Sequence, residues 1–233
     1  MNSQKEEMRC EFCFTQNKHF RTLTQDQLDV MSYVKICQSY KKGDIIFREG
    51  NRPGGVFCMS SGIVKHYKAG VDGKEQILSF SRKGDLFGFR SVLSDEPACT
   101  TTQAIEDVIL CLVPSKNFIK MITENADFSM KIMQLSCKEL GHANQYILDI
   151  AQKNVRERLA EVLLLLHKDF GTDNNGVLQI FLTREELAGM VGTATESVIR
   201  LLSEFNKEKT IELNRRNIKI LNFDRLKKIS DII

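Results

Sequence analysis

The hydrophobic positions of this 233-residue chain follow two different periods. Between Tyr40 and Pro114, short apolar runs alternate with glycine turns, as in KKGDIIF, SSGIVKHYKAG, DGKEQILSF, KGDLFGF and TTTQAIEDVILCLV. Strands this short, at this spacing, are typical of an antiparallel sandwich or a barrel-like roll. We therefore predict an antiparallel β-roll in the first half of the chain.

A helical period replaces the strand period between Asn125 and Lys153. Apolar side chains there recur at alternating spacings of three and four, which places them along one seam of a helix. A single Asn on such a seam commonly fixes the register of two paired chains, although a helix packed on its own domain would show a similar stripe. We favour a dimer seam, which comprises Met130, Met133, Cys137, Leu140, Asn144, Ile147 and Ala151.

The segment TREELAGMVGTATESVIRLLSEF predicts two helices joined by a tight turn. Thr183 and Glu186 have the spacing of a capping box, which begins the first helix. Ala188 is small enough for two helices to cross closely, Gly192 suits the turn between them, and Val198 anchors the second helix. A small residue, a Gly and a branched apolar residue at these positions form the helix-turn-helix pattern.

The second of these helices carries candidate base-reading side chains. Arg200 can donate two hydrogen bonds to guanine, and Glu196 can accept one from the amine of cytosine. Ile199 suits a thymine methyl group, or is a plain surface residue. Thr193 and Glu196 also have capping-box spacing, which would explain Glu196 without DNA. The predicted DNA-contacting residues are Thr183, Thr193, Thr195, Glu196, Ser197, Ile199, Arg200, Arg215 and Arg216.

Two short alternating runs around Asn214 to Asn217, in TIELNRRNIKIL, predict a wing hairpin with Arg215 and Arg216 at its tip. Arginines at a wing tip commonly contact phosphate, although two solvated turn residues would give the same pattern. Before the helix pair, we predict a helix over residues 155–167 and a short strand at LQIFL.

The excess of positive over negative side chains is concentrated in this C-terminal region. The net charge is only +3, but residues 195–228 hold nine Lys or Arg against five Asp or Glu. The N-terminus lacks the apolar stretch of a signal peptide, and no run approaches the roughly 18 apolar residues of a membrane helix. These features indicate a cytoplasmic protein with a basic region for nucleic acid.

Seven cysteines without a signal peptide argue against a disulfide framework. They leave buried thiols, a metal site or redox chemistry as alternatives, including a reversible disulfide between Cys10 and Cys13. A different hypothesis is that the β-roll is a cupin-like metalloenzyme. It is disfavoured because His66 is the only histidine of the roll, and an oxygenase triad needs two.

These motifs resemble the CRP/FNR superfamily of bacterial transcription regulators. The resemblance rests on KKGDIIFREG, SSGIVKHY, GKEQILSF, KGDLFGF, KNVRERLAEVL and LTREELAGMVGTATESVIRLLSEF, in which TESVIRLL is similar to the recognition core of the family. It implies an α+β chain with an N-terminal antiparallel β-roll of the cyclic-nucleotide-binding type, a long dimerisation helix and a C-terminal winged helix-turn-helix.

The resemblance further implies a homodimer that regulates transcription on an inverted repeat and has no enzymatic activity. Its implied partners are double-stranded DNA, a second copy and RNA polymerase, with no membrane. We predict a cysteine-containing arm over residues 1–21, the β-roll over 22–124, the dimerisation helix over 125–153 and the DNA-binding domain over 154–233.

The effector positions depart from the family pattern. Cyclic-nucleotide binders of this superfamily hold the phosphate with a Gly-Glu pair and an Arg followed by Ser or Thr. The matching stretches here are Gly88-Phe89-Arg90 and Pro97-Ala98-Cys99-Thr100, which lack that acid and that arginine. Burying phosphate charge without a guanidinium is costly, so cyclic AMP is not expected, although Arg90 could be repurposed.

The cysteines resemble the FNR-type arrangement in part. That type binds an iron-sulfur cluster through C-x2-C-x5-C and a fourth cysteine on a late strand of the roll. Histidine replaces the third cysteine here, and histidine can also ligate iron or zinc. The resemblance implies a metal or iron-sulfur site at Cys10, Cys13, His19 and Cys111. We interpret Cys37, Cys58, Cys99 and Cys137 as ordinary core or surface thiols.

Overall fold

The computed structural model describes residues 19–70 and 72–230. The chain divides into two compact units. The first holds the residues up to Lys68 together with Leu78–Leu140, and the second holds Ala69–Ile77 and the residues from Gly141 onward. Within the described ranges, no helix combines the length and the apolar character that crossing a membrane requires.

Short strands of the N-terminal region form two four-stranded sheets, with orders β1-β8-β3-β6 and β2-β7-β4-β5. β8 pairs antiparallel with both β1 and β3, and β7 pairs antiparallel with both β2 and β4. The predicted β-roll is therefore confirmed. The strands are β1 (Ile36–Tyr40), β2 (Ile45–Phe47), β3 (Gly55–Ser61), β4 (Ile63–Ala69), β5 (Glu75–Arg82), β6 (Leu86–Phe87), β7 (Thr101–Ala104) and β8 (Val108–Pro114).

Helices that the sequence pattern did not predict accompany the roll: α1 (Gln25–Val34), α2 (Phe89–Ser94) and α3 (Ser115–Glu124). A local signal for α1 was present in the sequence. Thr24 and Gln27 form a capping box, in which each side chain accepts a hydrogen bond from the backbone N–H of the other.

The central strands of the roll are buried on both faces. Phe57 and Met59 of β3 pack in a cluster between the two sheets, and their neighbours Val56 and Cys58 face a second cluster formed with the helices. Because successive side chains of a strand point to opposite faces, β3 serves two cores at once. This double burial explains why the strand is a continuous apolar run rather than an alternating one.

His66 is buried within the roll, where both ring nitrogens have partners. Its Nδ1 lies 2.9 Å from Thr102 Oγ1, its Nε2 lies 2.8 Å from Ser81 Oγ, and its ring packs against Phe87. Burial disfavours the charged imidazolium and lowers the pKa of His66 to about 4. The roll therefore contains a neutral histidine that is a structural element of its core.

The stability of the roll should consequently fall in mild acid. In the unfolded chain, His66 takes up a proton below its ordinary pKa of about 6.5. In the folded chain, the His66 ring stays neutral until about pH 4. We expect the unfolding free energy to drop by about 2 kcal/mol, through this group, from pH ~7.5 to pH ~5. Urea titrations followed by circular dichroism at the two pH values measure the drop.

The matched variants are His66→Gln, which keeps a donor and an acceptor, and His142→Gln at an exposed position. His66→Gln should lose this part of the pH dependence, and His142→Gln should retain it. Equal drops in the wild type and in His66→Gln would contradict the assignment.

A long helix follows the roll. The helix predicted between Asn125 and Lys153 is α4 (Ala126–Gln152). The C-terminal region then contains α5 (Val155–Phe170), α6 (Arg184–Val191), α7 (Thr195–Lys207), β9 (Ile211–Asn214), β10 (Asn217–Ile220) and α8 (Phe223–Ser230). The elements of the predicted winged helix-turn-helix are thus present in the expected order.

The prediction of a short strand at LQIFL is wrong. Of this segment only Leu178 takes part in a β-bridge, which is an isolated one with Thr172. A second isolated bridge pairs the preceding Val177 with Lys219. Its apolar alternation is real, because Leu178, Ile180 and Leu182 are buried. The alternation thus reflects packing without an extended ladder of hydrogen bonds.

Candidate DNA-binding interface

The first helix of the pair is fixed at both ends by local hydrogen bonds. Glu186 N donates to Thr183 Oγ1 at 3.0 Å, and Thr183 N donates to Glu186 Oε2 at 2.8 Å, so the predicted capping box begins α6. The left-handed Gly192, with φ of 70°, ends the helix, and its N–H donates to Ala188 O. This conformation favours glycine because a side chain would be strained there.

The second helix, α7, is anchored on one face and open on the other. Its inward side chains Val198, Leu201, Leu202 and Phe205 are buried. Its outward side chains Glu196, Ile199 and Arg200 are exposed, and Ile199 is exposed by 48%. The remaining candidates of the helix pair are partly buried. They are Thr183 at the start of α6, Thr193 before α7, and Thr195 and Ser197 on α7.

The capping role predicted for Thr193 is wrong. The N-cap of α7 is Ala194, which has no side chain able to accept a hydrogen bond, and Thr193 N donates instead to Ala188 O at 3.2 Å. Thr193 therefore completes the end of α6 rather than beginning α7. Glu196 is consequently not part of a capping box, so capping does not explain this acid.

Arg200 has no duty within the described parts of the chain: no hydrogen bond or ion pair joins it to another described residue. Its guanidinium projects from the exposed face, one turn from Glu196. An arginine has five N–H donors in a rigid fork, which suits bidentate contact with an acceptor pair. Arg200 is thus available for a partner outside the chain.

Two arginines of α5 position the helix pair, and the sequence reasoning missed both. Arg158 donates from Nε to Val191 O at 2.8 Å and from Nη2 to Gly192 O at 3.3 Å, which satisfies carbonyls at the end of α6. Its Nη1 donates to Lys153 O. The turn between the two helices is therefore held by a side chain from a third helix.

Arg156 holds the recognition helix from the same side. It donates to Glu204 at 3.0 Å and to Glu208 at 2.8 Å, and its guanidinium lies 4.7 Å from the ring centre of Phe205. Arg225 of α8 also donates to Glu208. The motif KNVRERLAEVL contains both arginines of α5, but their partners in the helix pair and the turn lie more than 30 residues away, so spacing alone gave no signal.

The wing hairpin is formed by β9 and β10, with Asn214 opposite Asn217. Arg215 and Arg216 occupy its exposed two-residue tip, and Arg215 has a positive φ of 53°. Arg184 supports the tip by donating from Nη2 to Arg215 O at 2.8 Å. Burial lowers the pKa of Arg184. The hairpin thus presents two cations beside α6 and α7 of the same unit.

The predicted dimer seam lies on an exposed face of α4. All seven seam residues are exposed in the single chain, including Leu140 at 62% and Ile147 at 65%, whereas Phe128 and Ile132 on another face are buried. A run of exposed large apolar side chains is unusual on a monomer. The helix therefore leaves apolar surface for a further partner.

The positions that match the phosphate site of cyclic-nucleotide binders have other contacts here. Gly88 is left-handed and precedes α2. Arg90 pairs with Glu96 at 2.8 Å in an exposed ion pair. An exposed, paired guanidinium differs from the buried one that phosphate burial requires.

The predicted metal ligands are only partly described. Cys10 and Cys13 lie outside the described residues, whereas His19 and Cys111 are both buried. In the ranges 19–70 and 72–230, no group of three or more His, Cys, Asp or Glu is placed to hold a metal ion. The four-ligand set therefore stays a prediction.

Comparison with known proteins matches one family model to each of the two regions. A model described as "Cyclic nucleotide-binding domain" matches residues 37–125, and one described as "Crp-like helix-turn-helix domain" matches residues 157–229. Together they cover well over half of the chain.

Similar relatives include the "Fumarate and nitrate reduction regulatory protein" of Vibrio cholerae, 27% identical over 91% of this chain and 85% of its own length. A "CRP-like cAMP-activated global transcriptional regulator" of Mycobacterium tuberculosis is 27% identical over 80% of this chain and 84% of its own. The structure of FixK2 from Bradyrhizobium japonicum superposes with a TM-score of 0.77 at 26% identity, and covers 84% of this chain and 97% of that one. The chain therefore belongs to the CRP/FNR superfamily of bacterial transcription regulators, which bind DNA and are not enzymes.

Proposed function

We propose that two copies of this chain pair along the α4 seam and read an inverted repeat in double-stranded DNA with α7 of each protomer. The observation that carries this proposal is the exposed set Glu196, Ile199 and Arg200 on a helix whose opposite face is buried. Arg200 reads guanine, Ile199 contacts a thymine methyl group, and Glu196 accepts from cytosine. Arg215 and Arg216 contact phosphate and add affinity without sequence choice.

The dimer is supported by the exposed apolar face of α4. Asn144 is the polar member of that seam, and it sets the register of the pair. Two recognition helices must then lie about 34 Å apart, one turn of the double helix. RNA polymerase is the further partner that we propose for the DNA-bound dimer.

Selection from randomised duplexes tests this function. We expect a symmetric motif whose half-sites lie about one helical turn apart, each with a G·C pair. A motif without two-fold symmetry, or no enrichment over non-specific binding, would contradict the proposal.

The signal that controls the dimer acts at the β-roll. The exposed Arg90–Glu96 pair supports a signal other than a cyclic nucleotide. A metal or iron-sulfur site at Cys10, Cys13, His19 and Cys111 is the first alternative, and a thiol switch without metal is the second. Metal analysis of anaerobically purified protein distinguishes the two, and iron together with acid-labile sulfide identifies a cluster, because only a cluster contains both.

A further inference from the structure

Three cysteines occupy one row across three neighbouring strands of the roll. In the antiparallel register, Cys37 of β1 and Cys58 of β3 both lie directly opposite Cys111 of β8, one on each side. All three belong to, or pack against, the core cluster between this sheet and the helices. Neither Cys99 nor Cys137, which are exposed, lies in this row.

Within the row, Cys37 and Cys111 are in direct contact. Their Sγ atoms lie 2.6 Å apart, and an S–S bond is about 2.0 Å long. Residues directly opposite on antiparallel strands have Cα atoms about 4.5 or 5.5 Å apart, which falls within the range that a disulfide requires. The two sulfurs could therefore be bonded without moving the backbone of either strand.

The two cysteines differ in access to solvent. Cys111 and Cys58 are fully buried, whereas Cys37 is partly exposed on β1, an edge strand of its sheet. Of the three cysteines in the row, Cys37 is therefore the one that an oxidant from solution reaches first. The sulfur already in contact with Cys37 is that of Cys111. This combination gives an attacking thiol and a resolving thiol.

We propose that Cys37 and Cys111 form a reversible intramolecular disulfide when the protein meets a hydroperoxide. The Cys37 sulfur attacks the peroxide, the O–O bond breaks, and a sulfenic acid forms as an alcohol, or water, leaves with the thiol proton. The Cys111 sulfur then attacks the Cys37 sulfur, the S–O bond breaks, and water leaves with the Cys111 proton. Two thiols are oxidised to one disulfide, and one peroxide is reduced.

This reaction concerns a site distinct from the Cys10 and Cys13 pair. It also places Cys111 in competition, because a sulfur in a disulfide is not a thiolate ligand for a metal. The chemistry itself can be measured without DNA, so it stands or fails independently of the proposed reading of an inverted repeat.

Peptide mapping of the full-length protein tests the disulfide. Cys99→Ser protein, treated with hydrogen peroxide and digested with trypsin without reductant, should yield peptide 36–41 linked to peptide 91–116, at the summed mass less two hydrogens. The substitution removes the second cysteine of peptide 91–116, so that the link can involve only Cys111. Dithiothreitol should restore both free peptides.

Further variants separate the pair from its neighbour. Adding Cys37→Ser or Cys111→Ser should abolish the link, and adding Cys58→Ser should retain it. Circular dichroism checks that each variant folds, and protein oxidised in urea should show no preference for this pair. The proposal would be overturned if Cys37 were recovered as a free thiol or as a sulfinic or sulfonic acid. A link from Cys58 to Cys111, at the same yield as the link from Cys37 to Cys111, would overturn it as well.

Discussion

Replacing Arg200 by Ala is expected to weaken binding of the dimer to its selected inverted repeat by about 5- to 150-fold for each half-site. The estimate follows from about 1 to 3 kcal/mol for a lost bidentate contact with guanine. Since Arg200 is exposed and has no hydrogen bond or ion pair with another described residue, the variant should fold normally. Fluorescence anisotropy with duplexes that carry one substituted base pair at a time measures the effect.

The discrimination should disappear at one base pair of each half-site and stay at the others. Arg200→Lys is the matched control, because it keeps the charge but loses the planar fork. It should lose discrimination and retain most of the salt dependence. Arg216→Ala, at the wing tip, should weaken binding to all duplexes about equally. An unchanged preference in Arg200→Ala would contradict its assignment as the base reader.

Replacing Ile147 by Glu is expected to raise the dissociation constant of the dimer by about 100-fold or more. Ile147 is the most exposed large apolar residue of the seam, at 65% in the single chain. In a dimer this position would bury an unpaired carboxylate, which costs more than about 3 kcal/mol. Sedimentation equilibrium measures the association, and circular dichroism checks that the helix remains formed.

The same variant should lose most of its affinity for the full inverted repeat, because a monomer reads one half-site only. Lys138→Glu is the control: it introduces the same acid at an exposed position of α4 outside the seam. That variant should remain dimeric. A dimeric Ile147→Glu protein would show that the seam lies elsewhere.

The recognition helix could be predicted from the sequence because its signals are local. The spacing of Val198, Leu201 and Phe205 defines a buried face within a few turns, and the opposite face follows from it. The start of the helix was less secure. Thr183 and Thr193 both have the spacing of a capping box, but the left-handed Gly192 ends α6 and Thr193 N donates back to Ala188 O, so of the two only Thr183 acts as a cap.

The sequence by itself determined the β-roll, the long helix and the winged helix-turn-helix in their order, the buried and exposed faces of α4 and α7, and the arginines of the wing. Each depends on residues within about two helical turns or one hairpin, where periodicity and capping act. The fold alone decided which distant groups meet. Arg158 with the carbonyl of Val191, Arg156 with Glu208, and Cys37 with Cys111 are 33, 52 and 74 residues apart. Such contacts depend on helix packing and strand register, which no short-range pattern specifies.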